Sequence, residues 1–150
     1  MQGVADRTTL ESQGGWYWNE LLMSNDVARV LDVGNCDPDH GAIRLMVTEA
    51  FDAQVDRVMF VPDAMRKLAD LAYDLVLVNR LVFDDGSPGI DLVRQMKADE
   101  RIRNVPVMLI SNYADAQSEA EAAGAVPGFG KAAVGDSVTV DLLAEYLPRK

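Results

Sequence analysis

Apolar residues in this chain alternate between two rhythms, short unbroken runs and runs spaced three and four apart. Leu75–Val78 is an unbroken apolar run, the pattern of a strand buried on both faces, and Val27–Val33, ended by Gly34-Asn35, is an earlier strand. Asp37-Pro38 then opens a helix, with Asp37 as its cap and Pro38 at its first position. Ile43, Met46, Val47 and Ala50 fall on one side as that helix runs to about Phe51. The pattern repeats. Val55–Val61 is a second strand, and Pro62-Asp63 leads a helix with Ala64, Leu68 and Leu71 inward. Leu75–Val78 is a third strand, stopping at Asn79. After the polar loop 80–89, Ile90–Glu100 is a helix and Val105–Ile110 a fourth strand. Asp115–Ala123 is a helix closed by Gly124. Ala125-Val126 with Phe129 makes a short fifth strand. Asp136 or Ser137 caps a last helix reaching about Leu147.

Strict β-α alternation predicts an α/β fold, a five-stranded parallel sheet with five helices on its two faces and right-handed crossovers. Units of about 25 residues fill 26–150 as one domain. Residues 1–25 stand apart as an extension. It holds both tryptophans, Trp16 and Trp18, and Trp18, Leu21 and Leu22 share one face of a helix. Two roles fit it, a cover for the domain's own apolar surface or a docking element for a partner or a second copy, since Trp is common at interface hot spots.

Charge narrows the function. Twenty-four acids against 14 bases leave a net charge of −10, which disfavours nucleic acid and anionic membranes as partners. Cys36 is the single cysteine of the 150 residues, so no internal disulfide forms. No apolar run approaches the roughly 20 residues of a membrane span, and the N-terminus lacks a secretory signal pattern. The expectation is a cytoplasmic protein.

In open parallel sheets, ligands collect beyond the carboxyl ends of the strands. Those ends carry Gly34, Asn35, Cys36 and Asp37 after strand one, Asn79 after strand three, Ser111-Asn112 after strand four and Lys131 after strand five. With this order, and above all in 73–79, 105–112 and 124–131, the chain resembles the receiver domain of bacterial response regulators from Val27 to Leu147. The resemblance implies a flavodoxin-like, doubly wound sheet of order 2-1-3-4-5 and a role in two-component (phosphorelay) signal transduction. In that family an aspartate ending strand three accepts a phosphoryl group, paired acids after strand one hold magnesium, and a hydroxyl and a lysine bind the phosphoryl oxygens.

Ser111 and Lys131 match the last two parts. Asn79 stands at the phosphoacceptor position, and an amide has no anionic oxygen with which to form an acyl phosphate. The acid pair falls on Gly34-Asn35 or Asn35-Cys36, without a carboxylate in either register. Ala132, Gly128 and the lengthened loop 84–89 depart from the family pattern further. The resulting expectation is a degenerate, or pseudo-, receiver. It is not an enzyme, has no metal and no cofactor, and acts through protein–protein contacts. The partner face is helix four, strand five and helix five, about Ala114 to Tyr146, or the Trp16/Trp18 segment; a homodimer is a further option. The alternative is noncovalent control by a small anion at Ser111 and Lys131.

Single residues have blander roles. Lys131 pairs with Asp37 or Asp32 or hydrogen-bonds Asn79. Lys131 or Arg29 relieves Asp32. Cys36 is an ordinary small residue, His40 faces solvent, and Asp84, Asp85 and Asp91 form a solvated loop, with a weak calcium site as the other reading.

Overall fold

The computed structural model describes residues 27–150, so the extension with Trp16 and Trp18 lies outside the described residues. Four parallel strands form one sheet: β1 (Ala28–Val33), β2 (Ala53–Val58), β3 (Leu75–Asn79) and β4 (Val107–Ile110), in the order β2-β1-β3-β4. Five helices connect or follow them: α1 (Asp37–Ala50), α2 (Val61–Asp70), α3 (Ile90–Ala98), α4 (Ala114–Ala122) and α5 (Ser137–Leu143). A 3-10 turn at Lys131–Ala133 precedes α5.

Every residue of β3 is buried, and its pleat divides it between two cores. Leu75 and Leu77 pack with Ile43, Met46 and Val47 of α1 and Leu143 of α5. Val76 and Val78 pack with Ala64 and Leu68 of α2 and Leu92, Val93 and Met96 of α3. Truncating Leu77 to Ala would cost about 2–5 kcal/mol, because close-packed neighbours cannot collapse into the space. The apolar run read from the sequence is therefore the central strand, and it brings Asn79 to the upper edge of the sheet.

The fifth strand does not form. Beside β4 the chain makes a single bridge, Ile110 with Phe129. The Val126 N–H reaches the Val107 carbonyl at 2.9 Å and the Ser111 N–H reaches the Phe129 carbonyl at 3.0 Å. Between these two bonds Pro127 has no N–H to give. The Gln117 side chain takes over, donating from Nε2 to the Leu109 carbonyl at 2.8 Å and to the Ser111 carbonyl at 3.1 Å. Gly128 permits the approach, since a Cβ there would overlap the Leu109 carbonyl oxygen.

Other boundaries shift by a few residues. Cys36, extended at φ −66° and ψ 167°, is the residue that caps α1, without a side-chain cap bond. Asp37 is thus already helical. β2 ends at Val58, because Val61 turns into α2 and buries there. β4 begins after Pro106 rather than at Val105; Pro106 lends its carbonyl to the Val76 N–H at 2.9 Å but has no N–H to give to the ladder. α5 stops at Leu143, although Leu147 is buried beyond it. Leu71, read as inward, is 38% exposed, because α2 ends at Asp70 and the backbone turns extended. Gly124 follows α4 with φ +114°, as expected of a helix-closing glycine. Among the described residues no helix is long and apolar enough to cross a membrane.

Candidate functional site

The carboxyl ends of β1, β3 and β4 meet around Asn79. Its carboxamide is committed to the backbone. Nδ2 donates to the Leu81 carbonyl at 2.7 Å and to the Gly34 carbonyl at 3.2 Å. The same Gly34 oxygen accepts the Phe83 N–H at 2.9 Å, so the loop after β3 is sewn to the end of β1. Gly34 makes this turn with φ +77°, and a Cβ there would press within 3.1 Å of Val82.

Below that turn lies a buried polar group. Asp32 is fully buried on β1. Asn35 Nδ2 donates to its Oδ1 at 2.5 Å, and His40 Nδ1 lies 2.6 Å from its Oδ2. Burial raises the Asp32 pKa above the usual carboxylate range, while the bonds from His40 and Asn35 oppose the rise. Neither Lys131 nor Arg29 relieves Asp32, contrary to the sequence reading. Arg29 pairs with Asp56 at 3.1 Å. His40 is turned inward, its side chain only 17% exposed.

The first turn of α1 clamps its surroundings on two further sides. Asp37 Oδ1 accepts from Arg57 at 2.8 Å, and the same guanidinium nitrogen donates to the Asn35 carbonyl. Asp39 Oδ2 accepts from Lys131 Nζ at 2.7 Å and from the Cys36 thiol at 3.3 Å. The hydrogen bond from Lys131 holds the Asp39 carboxyl below its ordinary pKa, with burial opposing and the Cys36 bond assisting. Lys131 therefore pairs with Asp39 and not with Asp37, Asp32 or Asn79. Asp39 stands two residues after Asp37 in the same first turn of α1, and that proximity was its one signal in the sequence.

Ser111 is buried at the end of β4, and its Oγ accepts the Tyr113 N–H at 3.1 Å. Asn112 Oδ1 accepts the Ala132 N–H at 3.1 Å, anchoring the lysine turn. A crevice of about 270 Å³ remains, lined by Asn79, Arg80, Ser111, Asn112, Tyr113 and Lys131. The Arg80 guanidinium lies over the Tyr113 ring, 4.9 Å from its centroid. Asn79, Ser111 and Lys131 thus meet in one crevice, Gly34 joins them through its bond from Asn79, and Asn35 is buried beneath against Asp32. Cys36 and Asp37 sit at the rim. Arg57, Asp39 and His40 were not read as part of the site.

A magnesium ion needs near-octahedral oxygen ligands, carboxylates above all. The residues here do not fit it. Asn79 and Asn35 turn amide nitrogens toward acceptors, Asp32 is taken by Asn35 and His40, and Asp37 and Asp39 are held by Arg57 and Lys131. Asp85 is occupied by the Ser87 N–H and hydroxyl, at 2.9 and 2.7 Å. Among the described residues no three His, Cys, Asp or Glu side chains are grouped to hold a metal.

No protein-family model and no curated protein matches this sequence. Solved structures do match. A sensor protein from Polaromonas sp. JS666 aligns with a TM-score of 0.69 at 16% identity, over 79% of this chain and 94% of that one. The receiver domain of NtrX from Brucella abortus aligns at 0.64 and 20% identity, over 77% and 94%. The chemotaxis response regulator CheY4 of Vibrio cholerae aligns at 0.62 and 15% identity, over 79% and 94%. The fold is that of response-regulator receiver domains, flavodoxin-like with the fifth strand reduced to one bridge.

Proposed function

We propose that this chain is a degenerate receiver domain that transmits a signal by binding other proteins, without accepting a phosphoryl group and without an enzymatic activity of its own. One observation carries the reading: the Lys131 ammonium, the group matched to a phosphoryl-oxygen ligand, is already neutralised by Asp39 at 2.7 Å. Asn79 supports it, because its donors are spent on two carbonyls and it offers no nucleophilic oxygen. The partner face is α4 with the following segment and α5. α4 exposes Asp115, Glu119 and Glu121 and has no basic residue, and Val138 at the start of α5 is 77% exposed. Acidic side chains on α4 and an exposed apolar side chain on α5 suit a partner that offers basic residues and an apolar anchor. Incubation with a small-molecule phosphoryl donor and magnesium, followed by intact mass measurement, tests the reading. An unchanged mass is expected; a gain of one phosphate sinks it.

A second reading rests on the crevice itself. Arg80 lines it with no carboxylate partner among the described residues, and the Ser111 hydroxyl proton is free to donate. A small anion seated there would compete with Asp39 for Lys131. Amide shifts of Ser111 and Lys131 on titration with inorganic phosphate would favour this reading over the first.

A further inference from the structure

Among the described residues, β2 is the outer strand of the sheet, with a neighbour on one side only. Where β3 is wholly buried, no residue of β2 is. Beside it, between the end of β2 and α2, runs an open groove of about 750 Å³. Its apolar lining is Val58, Met59, Phe60 and Leu71. Met59 and Leu71 belong to neither core, and Leu71 is 38% exposed. Arg66 and Lys67 stand on its rim.

We propose that residues 16–23 of this same chain, Trp-Tyr-Trp-Asn-Glu-Leu-Leu-Met, occupy the β2–α2 groove. Position comes first. The described chain begins at Val27, at the lower end of β1, where Arg29 exchanges hydrogen bonds with Asp74. Leu71 and Asp70 of the groove lie three and four residues before Asp74. The groove runs along α2 from Met59 and Phe60, just past the carboxyl end of β2, down to Leu71 at the lower end. Length comes next. Trp18 is nine residues before Val27, a span of up to about 30 Å when extended. α2 is 10 residues long, about 15 Å, so both tryptophans reach any point of the groove. Charge agrees. Residues 1–26 carry Asp6, Glu11, Glu20 and Asp26 against Arg7 alone, and on the groove Lys67 has no carboxylate partner among the described residues, whereas Arg57 and Arg66 are paired with Asp37 and Asp63. The occupied groove would cover Leu71 and Met59 with aromatic surface and shield the open side of β2. This inference does not depend on whether the upper crevice accepts phosphate.

The test is direct, because Trp16 and Trp18 are the two tryptophans of the chain. Their emission reports the extension and nothing else. In the full chain it is expected blue-shifted from the urea-unfolded position and protected from acrylamide. Met59→Glu combined with Leu71→Glu is expected to shift emission to the red and raise quenching several-fold, with an unchanged far-UV spectrum and a cooperative melt showing that the domain folds. Emission already at the unfolded position in the native chain overturns the proposal. So does a blue shift that the folded double variant retains. A blue shift lost on dilution assigns the groove to the segment of a second copy and overturns the intramolecular assignment.

Discussion

Lys131 Nζ donates to Asp39 Oδ2 across 2.7 Å, joining the turn after the vestigial fifth strand to the first turn of α1. Both side chains are about one-third exposed, so the pair contributes only about 0.5–1 kcal/mol. Its consequence is electrostatic. Asp39→Asn leaves Lys131 as an uncompensated cation beside Ser111. The variant is expected to bind inorganic phosphate at least several-fold more tightly than the parent, read from Ser111 and Lys131 amide shifts. Equal, weak binding by both proteins would mean that Asp39 does not mask the lysine. Since Asp39 is held below its ordinary pKa, its share of stability is present above about pH 4 and is lost as pH falls through the depressed value. The variant's stability should therefore fall less than the parent's on acidification below pH 4.

Restoring a carboxylate at position 79 is not expected to restore chemistry. In Asn79→Asp the oxygen replacing Nδ2 would face the carbonyl oxygens of Gly34 and Leu81. Two donor bonds become two repulsions in a buried setting, at about 2–4 kcal/mol. Urea midpoints should drop accordingly, and the mass after incubation with a phosphoryl donor and magnesium should stay unmodified. A variant as stable as the parent would show that residue 79 turns freely into the crevice.

How much of this was legible beforehand differs by residue. Leu75–Val78 announced the central strand because a strand covered on both faces needs no polar alternation. Asn79, Ser111 and Lys131 followed from the strand ends, and the structure gathers them at one edge. The fifth strand misled because Val126 and Phe129 look strand-like one at a time. Pro127 and the inserted Gln117 amide decide the matter, and Gln117 comes from another helix. Asp39 and His40 were missed for a related reason. Which way the first turn of α1 points depends on the residue that caps it, and a one-residue shift from Asp37 to Cys36 rotates each side chain by about 100°. Leu71 was misread because periodicity says nothing of where a helix stops.

Asp32 and His40 form a polar contact of 2.6 Å with Asp32 wholly buried. Asp32 is fully exposed to no solvent and relies on His40 and Asn35. His40→Ala leaves that carboxylate short of a partner and should cost about 3 kcal/mol. Adding Asp32→Asn to it should recover much of the loss, since the charge is then gone. A double-mutant cycle by urea unfolding measures the coupling; additive losses would mean that the pair is not coupled.

Tyr73 is expected to contribute to the loss of stability at alkaline pH. Its hydroxyl donates to Asp56 Oδ2 at 2.7 Å, and burial, then that carboxylate, raises its pKa above the ordinary 10.0. The folded state thus holds this proton more tightly than the unfolded chain. The contribution is complete below about pH 10 and declines as pH rises beyond it. Tyr73→Phe should lose about 1 kcal/mol at neutral pH and show a flatter decline in stability above pH 10. An equally steep decline in the variant would assign the alkaline loss to other groups.

Titration with magnesium and beryllofluoride, following the backbone amides of Gly34, Asn79, Ser111 and Lys131 by NMR, tests the self-satisfied crevice most directly. Unmoved amides at concentrations that saturate phosphate-accepting receivers are the predicted result. Saturable shifts at Asn79 and Lys131 that require both magnesium and beryllofluoride would contradict it.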